Sequence, residues 1–184
     1  MAAWFLGALA AILFCCGIAA AQSGRPEEYE VKAAFLINFA KFVEWPDSSF
    51  DSPQAPFVFG VIGGDHQLAF NLLRLSAGQK VHGRDVVIRE EHFGDDVRRC
   101  HVLFVSASER QRTAQILASL QDASVLTVSD IDGFADAGGA MQFVMQQNQV
   151  RFIVNLRAAT QSKLRVSAKV LALARVINHS EAAR

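Results

Sequence analysis

The sequence carries no surplus of either charge. Its 184 residues hold 18 Lys and Arg against 18 Asp and Glu. A protein that coats nucleic-acid phosphates shows a basic excess, so nucleic acid is not expected as a partner. Cysteine is scarce: Cys15 and Cys16 lie in an apolar N-terminal run, and Cys100 is the third. If that run is removed, Cys100 has no intramolecular partner, which excludes a disulfide-stapled scaffold even where disulfides are free to form. No internal repeat, low-complexity stretch or second-domain linker is visible. Catalytic signatures are missing too. There is no G-x-S-x-G elbow, no H-E-x-x-H pair and no phosphate loop with its Lys-Ser/Thr. His66, His82, His92, His101 and His179 form no spaced ligand set. The run "EEHFGDD", with Glu90, Glu91, His92, Asp95 and Asp96, reads as a solvated loop rather than a metal site. The expectation is a protein that is not an enzyme, without metal or cofactor.

What is present begins with place. Trp4 to Ala21, "WFLGALAAILFCCGIAAA", has no charged residue and ends in Ala19-Ala20-Ala21 before Gln22. This predicts a cleaved secretory signal peptide over residues 1–21 and an exported domain over 22–184. An uncleaved anchor is the alternative, although the run is short for a span. Lipid attachment at Cys15 or Cys16 is a third reading, disfavoured by the bulk of Phe14 before Cys15.

The segment "VKAAFLINFAKFVEWP", Val31 to Pro46, belongs to a helix predicted over Glu27 to Trp45 and stopped by Pro46. Helical spacing places Val31, Phe35, Phe39, Phe42 and Val43 on an apolar arc, with Glu30, Ala33, Ile37, Lys41 and Glu44 opposite. Lys32, Lys41 and Glu44 interrupt the apolar residues, so this segment does not span a bilayer. Beyond the polar loop "DSSFDSPQAP", strands and helices alternate. "FVFGVIG", "KVHGRDVVIRE", "CHVLFVS" and "SVLTVSD" read as strands; "HQLAFNLLRLSA" and "SERQRTAQILASLQD", capped by Ser108, read as helices. Gln146 to Gln149 closes a hairpin, and "SAKVLALARVI" reads as a C-terminal helix. The predicted fold is α/β: a single compact domain, mostly parallel sheet flanked by helices, with a strand hairpin before the C-terminal helix.

Several polar residues call for placement. Lys32 lies between Phe39 and Val43 in angle, either snorkelling or forming a partner-facing ion pair. Asn155, ending "FIVNL", is expected to cap the next helix. "GVIGGD" is a tight strand-to-helix turn without a dinucleotide fingerprint, although an anion at the following helix N-terminus stays open. Cys100 reads as a small buried hydrophobe, with an intermolecular disulfide or a free reactive thiol as the alternatives.

At this point the residues resemble the YfiR-like (YfiR/HmsC-like) periplasmic repressors. "VKAAFLINFAKFVEWP", "GVIGGD", "CHVLFVS", "VLTVSDIDGFADAGGAMQFV" and "RFIVNLRAATQSKLRVSAKVLALARV" are similar to successive parts of that family, in order, over nearly the whole exported chain. The resemblance implies a periplasmic α/β domain that represses an inner-membrane diguanylate cyclase by binding its periplasmic sensor domain. That lowers cyclic di-GMP and limits exopolysaccharide and biofilm. It also implies sequestration by an outer-membrane lipoprotein, and homodimerisation. Three departures stand out. Cys100 matches one of the paired cysteines of some relatives and has no second Cys; Ile37 replaces a common aromatic; "GGAMQF" differs from the usual Gly-Gly-Met-Ile. For such a repressor the expected partner-binding residues are Lys32, Lys41, Glu44, Trp45 and Pro46, since interfaces favour aromatic anchors. The alternative is a small-ligand-binding periplasmic sensor, with a crevice at Gly63, Gly64, Asp65 and Asp130 where strand carboxyl ends gather.

Overall fold

A computed structural model describes residues 26–178. The expected signal peptide, Cys15, Cys16, the boundary at residue 22 and His179 lie outside the described residues. Helix α1 (Pro26–Phe42) opens with Pro26 at its first position, where a missing N–H costs nothing, and with Glu27 and Glu28 at its positive end. It stops three residues before the predicted end. Val43–Glu44 (β1) instead pairs antiparallel with Arg165–Val166 (β9), and the Ser167 N–H donates to the Phe42 carbonyl at 3.0 Å. The His82 ring Nε2 lies 2.8 Å from the Ala40 carbonyl and 3.0 Å from that of Val43, so its N–H serves the orphan acceptors at the helix end.

The buried face of α1 also differs from the predicted arc. Ala33, Leu36, Ile37, Phe39 and Ala40 are buried, while Val31 and Phe42 are 41% and 38% exposed. The cause is that α1 packs on two neighbours at once, strand β8 (Gln149–Asn155) and helix α2 (His66–Ser76). Two contacts bury two stripes, and the small Ala33 and Ala40 let the elements approach.

The principal sheet adds β2 (Phe57–Ile62), β3 (Lys80–Val81), β4 (Arg84–Glu91), β5 (Val102–Val105), β6 (Leu126–Ser129), β7 (Met141–Gln146) and β10 (Arg175–Ile177). Its order is β10-β8-β7-β6-β5-β2-β4-β3. The run from β4 to β7 is parallel, β8 is antiparallel to β7, and β10 runs parallel to β8. All residues of β2, β5 and β6 are buried, as expected for parallel strands covered on both faces. Phe57, Phe59, Val61, Phe104 and Val128 join α1 and α2 in one core; Val58, Ile62, Leu103 and Val105 meet α3 (Thr113–Ser119) in the other. The α/β fold with a mostly parallel sheet is thus as predicted. The β7–β8 hairpin also forms at the predicted place, with Gln147 and Asn148 at φ 50° and 62°, the left-handed pair of a two-residue turn.

Three local predictions are corrected. The run "KVHGRDVVIRE" is not one strand: β3 and β4 form a hairpin, turning through His82 and Gly83 at φ 50° and 77°. Ser108 caps no α-helix: residues 107–112 form a 3-10 helix before α3, and the Ser108 hydroxyl donates to the Gly63 carbonyl at 2.7 Å. The predicted C-terminal helix is a single turn, α5 (Ala168–Leu171), after which the chain enters β10. The open edge of β8 offers hydrogen bonds to the β-branched Val176 and Ile177 that a solvated helix would not match. Asn155 does cap α4 (Leu156–Gln161), its Oδ1 accepting from the Ala158 N–H at 3.1 Å.

His101 ties the amino ends of the strands together. Its Nδ1 accepts from the Val58 N–H at 3.0 Å and its Nε2–H donates to the Ser49 carbonyl at 3.1 Å, which fixes the neutral tautomer. The ring stacks between Phe50 and Phe57, at 4.5 and 4.8 Å. Burial pushes its pKa down to about 4. Because the folded value lies below the unfolded one of about 6.5, this contribution is complete above pH 6.5 and is lost as pH falls toward 4. Urea midpoints measured between pH 7 and 5 should therefore fall more steeply for the native protein than for His101→Phe. The variant should also be less stable at pH 7 by about 1–3 kcal/mol, because the Val58 N–H is left unpaired. Equal slopes in the two proteins would show that His101 does not titrate in this way.

Candidate functional site

Helix α1 carries Lys32 to the carboxyl ends of the parallel strands. Its side chain is only 5% exposed, and its ammonium lies 2.6 Å from Glu28 and 2.8 Å from Asp130, the residue that follows β6. Burial alone would lower the Lys32 pKa. The hydrogen bonds and charges of Asp130 and then Glu28 outweigh that, so the pKa is raised and the ammonium is held protonated. Asp65 stands near the same group as the N-cap of α2, its Oδ1 accepting from the Leu68 N–H at 3.1 Å. Burial, with the negative charge of Asp130 adding to it, raises the Asp65 pKa despite the cap and the nearby Lys32. Asp130 Oδ1 is buried with no hydrogen-bond partner among the described residues.

Gly63 and Gly64 complete this edge. Both have left-handed backbones, φ 102° and 75°. A Cβ on Gly63 would fall 2.4–2.9 Å from Ser108, Glu109 and Ser106, whereas one on Gly64 would meet nothing. The turn is therefore glycine because β2 must pass close under the segment after β5. The strand order reverses between β2 and β5, the usual place for a ligand crevice, yet here the chain packs against itself at Gly63. The arrangement brings together one lysine and three carboxylates, and among the described residues no three His, Cys, Asp or Glu converge as metal ligands. The cluster anchors α1 to the sheet electrostatically.

The predicted partner-binding residues divide into two places. Lys32 belongs to the buried cluster and presents no charge to the outside. Lys41, nine residues and about 14 Å along the helix axis, is exposed and donates to Gln79 Oε1 at 2.6 Å. Glu44 is exposed and faces Arg165 at 3.4 Å across the β1–β9 pair. Trp45 is half-buried, edge-on to Phe57 at 5.0 Å and to His82 at 6.1 Å, and its indole Nε1 is buried with no hydrogen-bond partner among the described residues. Pro46, also half-buried, opens the loop to β2. Cys100 is 3% exposed; burial first, then the Glu91 charge, pushes its thiol up to about 12. A Cβ on Gly60 would lie 2.6 Å from its sulfur. Sequence patterns missed His82 and His101 as structural ties, since both act on backbone atoms more than 35 residues away.

If Lys32 and Asp130 act as one latch, their removals are coupled. Asp130→Ala alone should cost about 2 kcal/mol by leaving a buried ammonium half-paired. In a Lys32→Met background the same change should cost at least about 1 kcal/mol less, measured by urea unfolding in a double-mutant cycle. Additive losses would remove the latch.

No curated protein matches the chain. The family model described as YfiR/HmsC-like matches residues 29–175. That span takes in α1 from Tyr29 onward, the whole parallel sheet, the Lys32–Asp130 pair and the start of β10. The chain belongs to the YfiR/HmsC-like family.

Proposed function

We propose that the protein is a periplasmic negative regulator. It binds the periplasmic sensor domain of an inner-membrane diguanylate cyclase and so lowers cyclic di-GMP and the exopolysaccharide and biofilm output that depends on it. The observation that carries this reading is the family match over residues 29–175, which supports a regulatory role in cyclic di-GMP signalling rather than a catalytic one. An export signal over residues 1–21 fits the same compartment, and among the described residues no helix is long and apolar enough to cross a membrane. Sequestration by an outer-membrane lipoprotein, and a homodimer, belong to the same proposal.

The partner face is assigned to the corner where α1 ends. Lys41 and Glu44 offer exposed charges of opposite sign beside Phe42, which is 38% exposed and lies under the Lys169 ammonium at 5.4 Å. Pro46 shapes the corner, and Trp45 supports it from the core side. Lys32 contributes by fixing the other end of the helix. A ligand crevice at Gly63, Gly64, Asp65 and Asp130 has less support, because Asp130 is already engaged by Lys32 and Gly63 is packed against.

Deleting the gene should raise cyclic di-GMP and biofilm in cells that express the protein. Complementation with Lys41→Glu/Glu44→Lys should fail to restore repression and should weaken co-purification of a membrane cyclase, with the circular dichroism spectrum unchanged. Trp45→Ala should cost about 2–3 kcal/mol of stability as part of its lost ring packing. Unchanged cyclic di-GMP on deletion counts against the regulator, and full repression by the charge-reversed variant counts against this face.

A further inference from the structure

A cavity of about 440 Å³ opens at the amino ends of β2, β5 and β6, the opposite edge of the sheet from the Lys32 latch. That size suits a small molecule. Arg89, Arg98, Arg99 and Lys163 line it, against the carboxylates of Asp51 and Asp122. The cations arrive from separate parts of the chain: β4, the 3-10 turn at residues 97–99, and the turn after α4.

Two features distinguish this charge from an ordinary solvated surface. First, the Arg98 guanidinium is fixed by backbone, Nη1 donating to the Ser119 and Gln121 carbonyls at 2.9 and 3.0 Å. Carbonyls orient a guanidinium without neutralising it. Arg99 is paired with Asp96, whereas among the described residues Arg89, Arg98 and Lys163 have no carboxylate at ion-pair distance. Glu91 bears on Arg89 only through space, its own carboxylate being turned toward Cys100. Second, Lys163 sits at φ 60°. It occupies the position after α4 where the Leu164 N–H reaches the Ala159 carbonyl and its own N–H reaches that of Thr160. Glycine is the residue that takes this left-handed place without strain. Here the place holds an ammonium on the cavity wall.

Aromatic stacking is not available for recognition. Phe50, on the same wall, already lies against the Arg84 guanidinium at 3.7 Å and the His101 ring at 4.5 Å. Charge-assisted hydrogen bonding is what remains, and an arginine fork suits a planar or tetrahedral oxyanion. We propose that this cavity binds a small anion through a phosphate, sulfate or carboxylate group. The site goes beyond the regulatory reading and stands whether or not a cyclase is the partner.

The test is calorimetric titration of the purified protein with inorganic phosphate, inorganic sulfate and acetate at low ionic strength. At least one probe should bind saturably with a Kd of about 1 mM or tighter. Arg89→Gln and Lys163→Gly should each weaken it roughly tenfold. The thermal midpoint of Lys163→Gly should be unchanged or raised, since the strained position becomes glycine, and this separates loss of binding from loss of fold. Binding of phosphate or sulfate without acetate assigns a tetrahedral headgroup; binding of acetate without the others assigns a carboxylate. No saturable heat from any probe up to about 20 mM, or undiminished affinity in either variant, overturns the proposal.

Discussion

The structure depends on where α1 is held. A lysine ammonium taken almost wholly out of water costs several kcal/mol unless it is closely paired, and Lys32 meets that requirement with Glu28 on its own helix and Asp130 on the sheet. With α1 held there, Ala33, Ile37 and Ala40 close onto the sheet and α2, and Phe39 reaches Phe152 and Phe143, at ring distances of 4.8 and 5.9 Å. The apolar contacts supply most of the stabilisation, and the ion pair joins the helix to the sheet at the same place.

The two edges of the sheet consequently differ. At the carboxyl edge, charge is consumed internally: one lysine serves the surrounding carboxylates, and Gly63 lets the chain close over the strand ends. At the amino edge, His101 spends both ring nitrogens on backbone, and among the described residues Arg89, Arg98 and Lys163 nearby have no carboxylate at ion-pair distance. Residues 47–56 join the α1 corner to this edge, since Pro46 begins the loop and Ser48, Ser49, Phe50 and Asp51 line the cavity. The cavity wall and the Lys41–Glu44 corner thus share one short piece of backbone.

Much of the architecture was legible in the sequence, because fully apolar strand runs such as "FVFGVIG" and "CHVLFVS" are what a doubly covered parallel sheet requires. Asn155 and the Gln147-Asn148 turn were readable for the same reason, being local signals. Periodicity failed on α1, where burial on two sides breaks the single-arc pattern, and on β10, where an open strand edge overrides a helical spacing. The candidate residues were partly legible. Lys32 and Asp130 were each singled out, but for different roles, since nothing local links positions 98 residues apart. His82, His101 and the cavity arginines escaped for that same reason.

Cys100 has a practical consequence. Its thiol is covered at the amino end of β5 and held in its neutral form, so it becomes reactive only when that part of the sheet opens. The rate at which a thiol reagent labels it, set against the rate for an exposed cysteine, reads directly as the free energy of that opening. The protein carries, without any engineered probe, a chemical clock for the integrity of its own central strands.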